Sequence, residues 1–220
     1  MRRLLIALLF STTSLAISAQ DIPRATPEEV GLSSAGLAEV TANLQSHIDA
    51  GHIAGAVAAV VRDGKLVYFE ALGQRDIETA SAMPEDALFR IYSMTRPVTS
   101  LAAMILWEEG KFQLDDPISR YLPNFAEQRV FLNSSAPDMS QTRERVGDIT
   151  VADLMRHTSG LGSRSSDIYV AEQVRLRSIT LEQLADNAAR VPLFEDPGTA
   201  FRYGLSATIL GRLVEVWSRS

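Results

Sequence analysis

An almost unbroken apolar run from Val98 to Trp107 is the feature that most constrains how this chain can fold. The residues around it predict a helix over 93–109 that ends at Gly110, a residue suited to the left-handed conformation that follows many helices. Since this helix is apolar all round, we expect other elements to bury it on every side. The chain has 220 residues, 46% of them hydrophobic, so it can form the sizeable core that such a helix needs.

An earlier amphipathic helix is predicted to begin at Ser33 or Ser34 and to stop at Gly51. Its apolar residues recur at spacings of three and four, so they share one face. They are Leu37, Val40, Leu44 and Ile48. We therefore expect this helix to pack through a single stripe.

Two short apolar and β-branched runs follow, over residues 55–61 and 65–71. Asp63-Gly64 lies between them, and Asp-Gly at such a position is a tight hairpin signal. The sequence therefore predicts an antiparallel hairpin. Because two strands do not form an independent sheet, further strands are expected beside it.

Capping residues predict two more helices. Thr150, with Asp153 three residues on, starts a short helix to His157. Thr180 with Gln183 starts another through residue 189.

A last helix is expected over residues 205–217, because its apolar residues again share one face. The inward residues are Ile209, Leu210, Leu213 and Val214. Residues 133–148 are polar and rich in Ser, Asp and Arg, so we expect an exposed loop there.

The first nineteen residues have the order of a secretory signal: Arg2 and Arg3, an apolar run over residues 4–10, then small residues up to Ala19. A membrane anchor is the alternative, but this run is too short to span a bilayer. We expect residues 1–19 to be removed. The mature protein would then be secreted or periplasmic, with no stable insertion into a membrane.

Without Arg2 and Arg3 the chain carries 19 basic and 27 acidic residues, a net charge of −8. An acidic balance argues against a nucleic-acid partner. The sequence has no cysteine, which excludes disulfides and thiolate metal sites and suits an exported protein. It has neither a Gly-rich phosphate loop nor a zinc-ligand spacing, so we expect no cofactor and no metal.

Three segments resemble motifs of the serine β-lactamase and penicillin-binding-protein superfamily, in particular its class C and esterase-like branch. They are Ser93-Met94-Thr95-Arg96, Leu154-Met155-Arg156-His157-Thr158-Ser159-Gly160-Leu161 and Pro197-Gly198-Thr199-Ala200-Phe201-Arg202-Tyr203. The resemblance implies an α/β (α+β) fold: a helical region plus an antiparallel sheet of which only the N-terminal hairpin is present. It also implies one domain over residues 20–220 that is incomplete at its C-terminus. A fragment of a longer protein and a truncated gene product both remain open.

Ser93 is the candidate nucleophile. It stands at the start of the apolar helix, where the helix dipole and its own N–H favour a developing oxyanion. The alternative is a serine N-cap without chemistry. The flanking residues 89–92 and 97–100 also resemble the family, and they favour the nucleophile.

Arg96 follows one turn later and shares a helix face with Ser93. The family has a lysine here, which is thought to help deprotonate the serine. A guanidinium stabilises an anion but cannot accept a proton near neutral pH. The alternative is an arginine that anchors a loop or lies on the surface.

Tyr203 aligns with the tyrosine of the family's Tyr-x-Asn segment, and the resemblance implies that its phenol shuttles a proton between the serine and the leaving group. A nearby Arg96 would lower the pKa of Tyr203 by favouring phenolate. An ordinary buried tyrosine is the alternative. Leu205 replaces the family's asparagine, which hydrogen-bonds a substrate amide, so the resemblance favours ester substrates.

His157 belongs to a segment that is mainly architectural in the family, and we interpret it as a residue of a helix end rather than as a triad histidine. Nothing in the sequence pairs His47 or His52 with a carboxylate or a metal-ligand spacing.

These patterns together predict an exported serine hydrolase. It would act on a small-molecule ester or related acyl substrate through an acyl-serine intermediate at Ser93. Because of Arg96, Leu205 and the incomplete sheet, a non-catalytic relative that binds an acyl or cell-wall ligand is the rival interpretation. A purely structural secreted protein is a third.

Overall fold

The computed structural model describes residues 22–219, so the signal expected over residues 1–19 lies outside the described residues. The chain separates into two compact units, the first ending at Arg90 and the second beginning at Ile91. None of the helices within residues 22–219 combines the length and the apolar character that a membrane span requires.

The first unit begins with helix α1, Ser34–Asp49, as the sequence predicts. The hydroxyl of Ser33 caps it by accepting a hydrogen bond from the Gly36 amide at 3.2 Å. The helix packs on the sheet through one half-buried stripe, where the Thr41 and Tyr68 hydroxyls are hydrogen-bonded at 2.8 Å. Leu37, Leu44 and Ile48 belong to this stripe. Val40 was expected there but is 40% exposed.

The predicted hairpin is present as β1, Gly55–Arg62, and β2, Lys65–Asp76, which pair antiparallel. Asp63 and Gly64 both have positive φ, 51° and 72°, as the tight turn between twisted strands requires. A third strand, β3 (Ser81–Ala82), pairs with β2 and gives the order β1-β2-β3. The sequence did not predict it, because two residues are too few to show an alternating pattern.

The second unit is mainly helical. A 3₁₀ turn, Tyr92–Met94, leads into α2. The helices are α2 (Thr95–Glu108), α3 (Val151–Arg156), α4 (Asp167–Ala171), α5 (Leu181–Arg190) and α6 (Ser206–Trp217). Both predicted capping boxes are present, at the starts of α3 and α5.

The core of this unit lies against α6. Its inward residues Ile209, Leu210 and Leu213 are fully buried as predicted, whereas Val214 is only partly buried. At the end of α6 the ring of Trp217 stacks on Phe112, with centroids 3.9 Å apart. This packing holds α6 against α2 and α3.

The expectation that α2 is buried on every side is wrong for the described residues. Only Ala103 is buried, while Val98, Leu101 and Ile105 are 59%, 62% and 51% exposed. Burial requires a partner on each face, and α6 supplies most of the packing on this helix. An apolar composition states what a helix could bury but not which faces find partners.

The segment 133–148 is less of an exposed loop than expected. Its residues Thr142–Arg143 form strand β5, which pairs with β4, Val130–Phe131. The side chain of Arg145 is only 9% exposed, and its Nη1 donates to the Phe125 carbonyl at 2.6 Å. The polar composition of this segment therefore did not indicate that Arg145 is buried and holds the segment against the core.

Candidate active site

Ser93 lies in the 3₁₀ turn at the start of α2, where its side chain is exposed. The preceding Tyr92 has φ 45°, a left-handed conformation that is uncommon and strained for a bulky residue. The Met94 amide donates to the Ile91 carbonyl at 3.0 Å and closes the turn. Ser93 therefore lies near the positive end of a helix, as the sequence predicts, but on a 3₁₀ turn before it, because α2 begins at Thr95 and not at Ser93.

Arg96 links α2 to the segment that carries Tyr203. Its Cζ lies 4.3 Å from the centroid of the Tyr203 ring, and its Nη1 donates to the Gly204 carbonyl at 3.1 Å. Its Nε is buried and has no hydrogen-bond partner among residues 22–219. Arg96 thus faces the site and anchors a loop at the same time, so the two alternatives posed by the sequence are both partly correct.

Tyr203 is half exposed, not buried, and its ring lies beside the guanidinium of Arg96 at the start of α2. A hydrogen bond with Ser93 is the largest cause that lowers the pKa of Tyr203, and the positive charges of Arg96 and Arg164 lower it further. These contacts favour the phenolate, the form that can accept a proton.

His157 occupies the end of α3, as expected, in a left-handed conformation with φ 59°. Its carbonyl accepts a hydrogen bond from the Arg202 amide at 2.8 Å, which ties the helix end to the segment before Tyr203. The architectural interpretation is incomplete, however, because the His157 ring lies 4.9 Å from the Tyr203 ring between centroids. Burial, followed by the charge of Arg96, lowers the pKa of His157, so the imidazole is neutral at neutral pH.

A cavity of about 320 Å³ brings these groups together. Ser93, Arg96, His157 and Tyr203 line it, and Met155 is among its apolar lining residues. All of them belong to the second unit. The sequence predicted Ser93, Arg96 and Tyr203 as site residues, and the structure places all three at one cavity; it adds His157.

The backbone that follows Tyr203 packs closely against the backbone at Gly162. The Leu205 amide donates to the Gly162 carbonyl at 3.1 Å, and a Cβ at Gly204 would lie 2.3 Å from that same oxygen. The Tyr169 hydroxyl in turn accepts from the Gly162 amide at 2.9 Å. Only glycine fits at 204 without displacing the backbone, so the position of Tyr203 depends on this residue.

Leu205 lies in the hydrophobic core and is 3% exposed. The position that holds an amide in the family's Tyr-x-Asn segment therefore contributes an apolar side chain to the core of this protein.

A larger hollow, of about 470 Å³, lies elsewhere on the second unit. Asn124, Glu127, Asp186 and Arg190 are among its lining residues, and the described residues around it include no serine, histidine or tyrosine. Its described lining therefore offers carboxylates but no serine nucleophile for acyl-serine chemistry. Within residues 22–219, no three His, Asp or Glu side chains are grouped so that they could hold a metal ion.

Known proteins resemble this chain in both sequence and fold. A family model described as beta-lactamase matches residues 40–218. The chain is 33% identical over 171 residues to esterase EstB of Burkholderia gladioli, covering 74% of this chain and 41% of the esterase. It is 30% identical over 209 residues to acyltransferase mokF of Monascus pilosus, covering 89% of this chain and 50% of that protein.

Among solved structures, EstCE1, described as a hydrolase with promiscuous acyltransferase activity, superposes with a TM-score of 0.72 and 31% identity. That match covers 84% of this chain and 47% of EstCE1. The chain thus spans about half the length of the relatives that it matches.

Proposed function

The chain belongs to the beta-lactamase family, and from this we propose that the protein is a serine hydrolase that cleaves small-molecule esters through an acyl-serine intermediate at Ser93. The observation that carries the proposal is the convergence of Ser93, Arg96 and Tyr203 on one cavity. A nucleophile, a permanent cation and a phenol with a lowered pKa are what acyl transfer to a serine requires.

In the first half of the reaction, Ser93 Oγ bonds to the ester carbonyl carbon as its proton moves to the Tyr203 oxygen. Arg96, which stays protonated, stabilises negative charge on the phenolate and on the oxyanion. The carbon–oxygen bond to the leaving group then breaks, and Tyr203 returns the proton to the departing alkoxide. The products are the free alcohol and the acyl-serine.

In the second half, the oxygen of a water molecule bonds to the acyl carbon and gives a proton to Tyr203; the bond to Ser93 Oγ then breaks, Tyr203 returns the proton to Oγ, and the acid is released. An alcohol in place of water would give a new ester, so acyl transfer is a second candidate function. It is favoured by the half-exposed Tyr203, which leaves room for an acceptor, and by the acyltransferase names among the relatives.

The preference for esters over amides and lactams follows from Leu205. Leucine in place of the family's asparagine leaves no side-chain amide there to hydrogen-bond an amide group of the substrate, and the Leu205 side chain is buried in the core. A substrate that presents an amide group to this position would lose that hydrogen bond, whereas an ester without such a group loses nothing.

Export is also part of the proposal, and it rests on the order of charged, apolar and small residues over 1–19. Protein recovered from the periplasm should begin near Gln20 on N-terminal sequencing. A soluble cytoplasmic product that retains Met1 would refute export without touching the catalytic proposal.

A serine-directed fluorophosphonate probe tests the nucleophile. We expect labelling of the parent protein, with the adduct on Ser93 by peptide mass spectrometry, and no labelling of Ser93→Ala. Ser100→Ala is the matched control, since Ser100 lines the same cavity and its loss should leave the adduct on Ser93. Labelling of Ser93→Ala equal to that of the parent would remove Ser93 as nucleophile. Reversible binding of an ester without any covalent adduct would support the non-catalytic rival.

A further inference from the structure

We propose that His157 is the proton acceptor of this site, taking through a bridging water the proton that Tyr203 receives from Ser93. This inference rests on the proposed acyl-serine chemistry and adds to it a residue that the sequence interpretation treated as architecture.

The position of His157 is the first support. Its ring lines the cavity with Ser93 and Tyr203, 4.9 Å from the Tyr203 ring and tilted 35° to it. Its Nδ1 is buried and has no hydrogen-bond partner among residues 22–219. A buried ring nitrogen without a partner is costly unless it has a task or a bound water.

The backbone conformation is the second support. Amide and carbonyl groups make the cap of α3, including the carbonyl that accepts from the Arg202 amide. A glycine or an asparagine would serve that left-handed position equally well. Capping therefore does not explain why this position carries an imidazole whose ring packs against Tyr203.

The third support is the shortage of other acceptors. Arg96 cannot take a proton, and Tyr203 can keep the serine proton only if it is already phenolate, so a relay through the neutral phenol needs a further acceptor. The charged or titratable groups beside His157 are Arg96 on α2 and Tyr203; Asp153 on its own helix is engaged by the Thr150 and Thr158 hydroxyls. Burial and then the positive charge of Arg96 lower the pKa of His157, so the imidazole is unprotonated at neutral pH.

The rings pack against each other and share no hydrogen bond, so the proton must cross a water molecule. The cavity of about 320 Å³ has room for several. As Ser93 Oγ bonds to the acyl carbon, its proton passes to Tyr203, the phenolic proton passes to the water, and a water proton passes to the imidazole. When the leaving group departs, the protons return along the same path to the alkoxide, and the imidazole is neutral again.

The test is the pH dependence of fluorophosphonate labelling and ester hydrolysis in His157→Asn. Asparagine tolerates the left-handed backbone, so the cap survives while the base is lost. In the parent, the rate should rise as pH passes upward through the pKa of His157, below the usual histidine range, because only the neutral ring accepts a proton. In His157→Asn this rise at acid pH should be absent, and the rate at pH 7 should be lower by about 10²- to 10⁴-fold. The rise at alkaline pH, from Tyr203, should remain.

Two controls separate a base from a structural residue. His47→Asn and His52→Asn change exposed histidines of the first unit, so the rate should still rise with pH both in the acid range and in the alkaline range. In His157→Gly, added imidazole should restore the rate at pH 7, a rescue that a purely structural role does not permit.

The outcomes are distinct. An unchanged rise at acid pH in His157→Asn, with Ser93 still labelled, overturns the role of His157 and leaves the serine hydrolase standing. No labelling of Ser93 in the parent overturns both proposals. Proton NMR gives a further measurement that needs no activity: a His157 resonance that titrates above the usual histidine range would overturn the proposal, because the ring would then be charged at neutral pH.

Discussion

The guanidinium of Arg96 lies over the ring of Tyr203, with Cζ 4.3 Å from the ring centroid. The two residues are far apart in sequence; Arg96 also donates to the Gly204 carbonyl, and Ser93 is the main cause that lowers the pKa of Tyr203. An arginine in the position of the family's lysine therefore keeps a positive charge at the phenol while giving up a proton acceptor. This relationship makes the charge state of Tyr203 the quantity to measure.

Replacing Arg96 by glutamine should shift the alkaline rise in labelling to higher pH. The cation favours phenolate, so its removal raises the pKa of Tyr203 toward its ordinary value. The measurement is the pH profile of fluorophosphonate labelling. Arg96→Lys is the matched control: its ammonium keeps the positive charge beside the phenol, so the rise should stay in place. An unmoved rise in Arg96→Gln would show that Arg96 does not tune the phenol.

Gly204→Ala should destabilise the protein and reduce labelling of Ser93. Its Cβ would lie 2.3 Å from the Gly162 carbonyl oxygen, and such overpacking costs about 1–3 kcal/mol. Urea unfolding and labelling rates measure the two effects. Gly211→Ala in α6 is the control, because its Cβ meets Leu181 at an ordinary 3.5 Å and alanine favours a helix. Equal stability of the two variants would contradict the close approach.

Thr150→Ala should lower the unfolding free energy by about 1 kcal/mol, since it removes the side-chain cap of α3. It should also slow labelling, because α3 ends at His157 in the site. Thr180→Ala removes the equivalent cap of α5, whose residues do not line the site cavity. We expect a similar loss of stability there, by urea unfolding, with no change in labelling. Slower labelling of both variants would show that the loss of labelling comes from lower stability of the whole protein and not from the position of His157.

Stability should fall on acidification through the ion pair of Asp196 with Arg143, whose nitrogens lie 2.9 and 2.7 Å from the two carboxylate oxygens. Hydrogen bonds from Arg143 are the main cause that lowers the pKa of Asp196. A lowered folded pKa gives stability that is complete above the unfolded value, near 3.9, and is lost as pH falls through the folded value.

Urea midpoints between pH 7 and pH 2 measure this dependence. Asp196→Asn should be less stable than the parent at pH 7 and should lose less on acidification. Arg143→Gln removes the partner and should flatten the curve in the same direction. Parallel curves for all three proteins would exclude this pair as a source of acid sensitivity.

Local order could be predicted from the sequence because its causes lie within a few residues. Asp63-Gly64 specified the hairpin turn, Thr150 with Asp153 and Thr180 with Gln183 specified two helix starts, and all were found in place. The chemical identities of the site were likewise available, since Ser93 and Arg96 are three residues apart in one motif and Tyr203 belongs to another, and both motifs resemble the family.

Tertiary structure alone decided what those residues meet. The burial of α2 depends on which of its faces pack against other elements. The described residues cover mainly one face, so the composition of the helix predicted too much burial. Leu205 turns into the core, and His157, read as a helix cap, has its ring against Tyr203. Contacts between residues distant in sequence form only when whole elements pack. A periodic pattern or a cap, which acts over one or two helical turns, contains no information about which distant side chain will lie across the cavity.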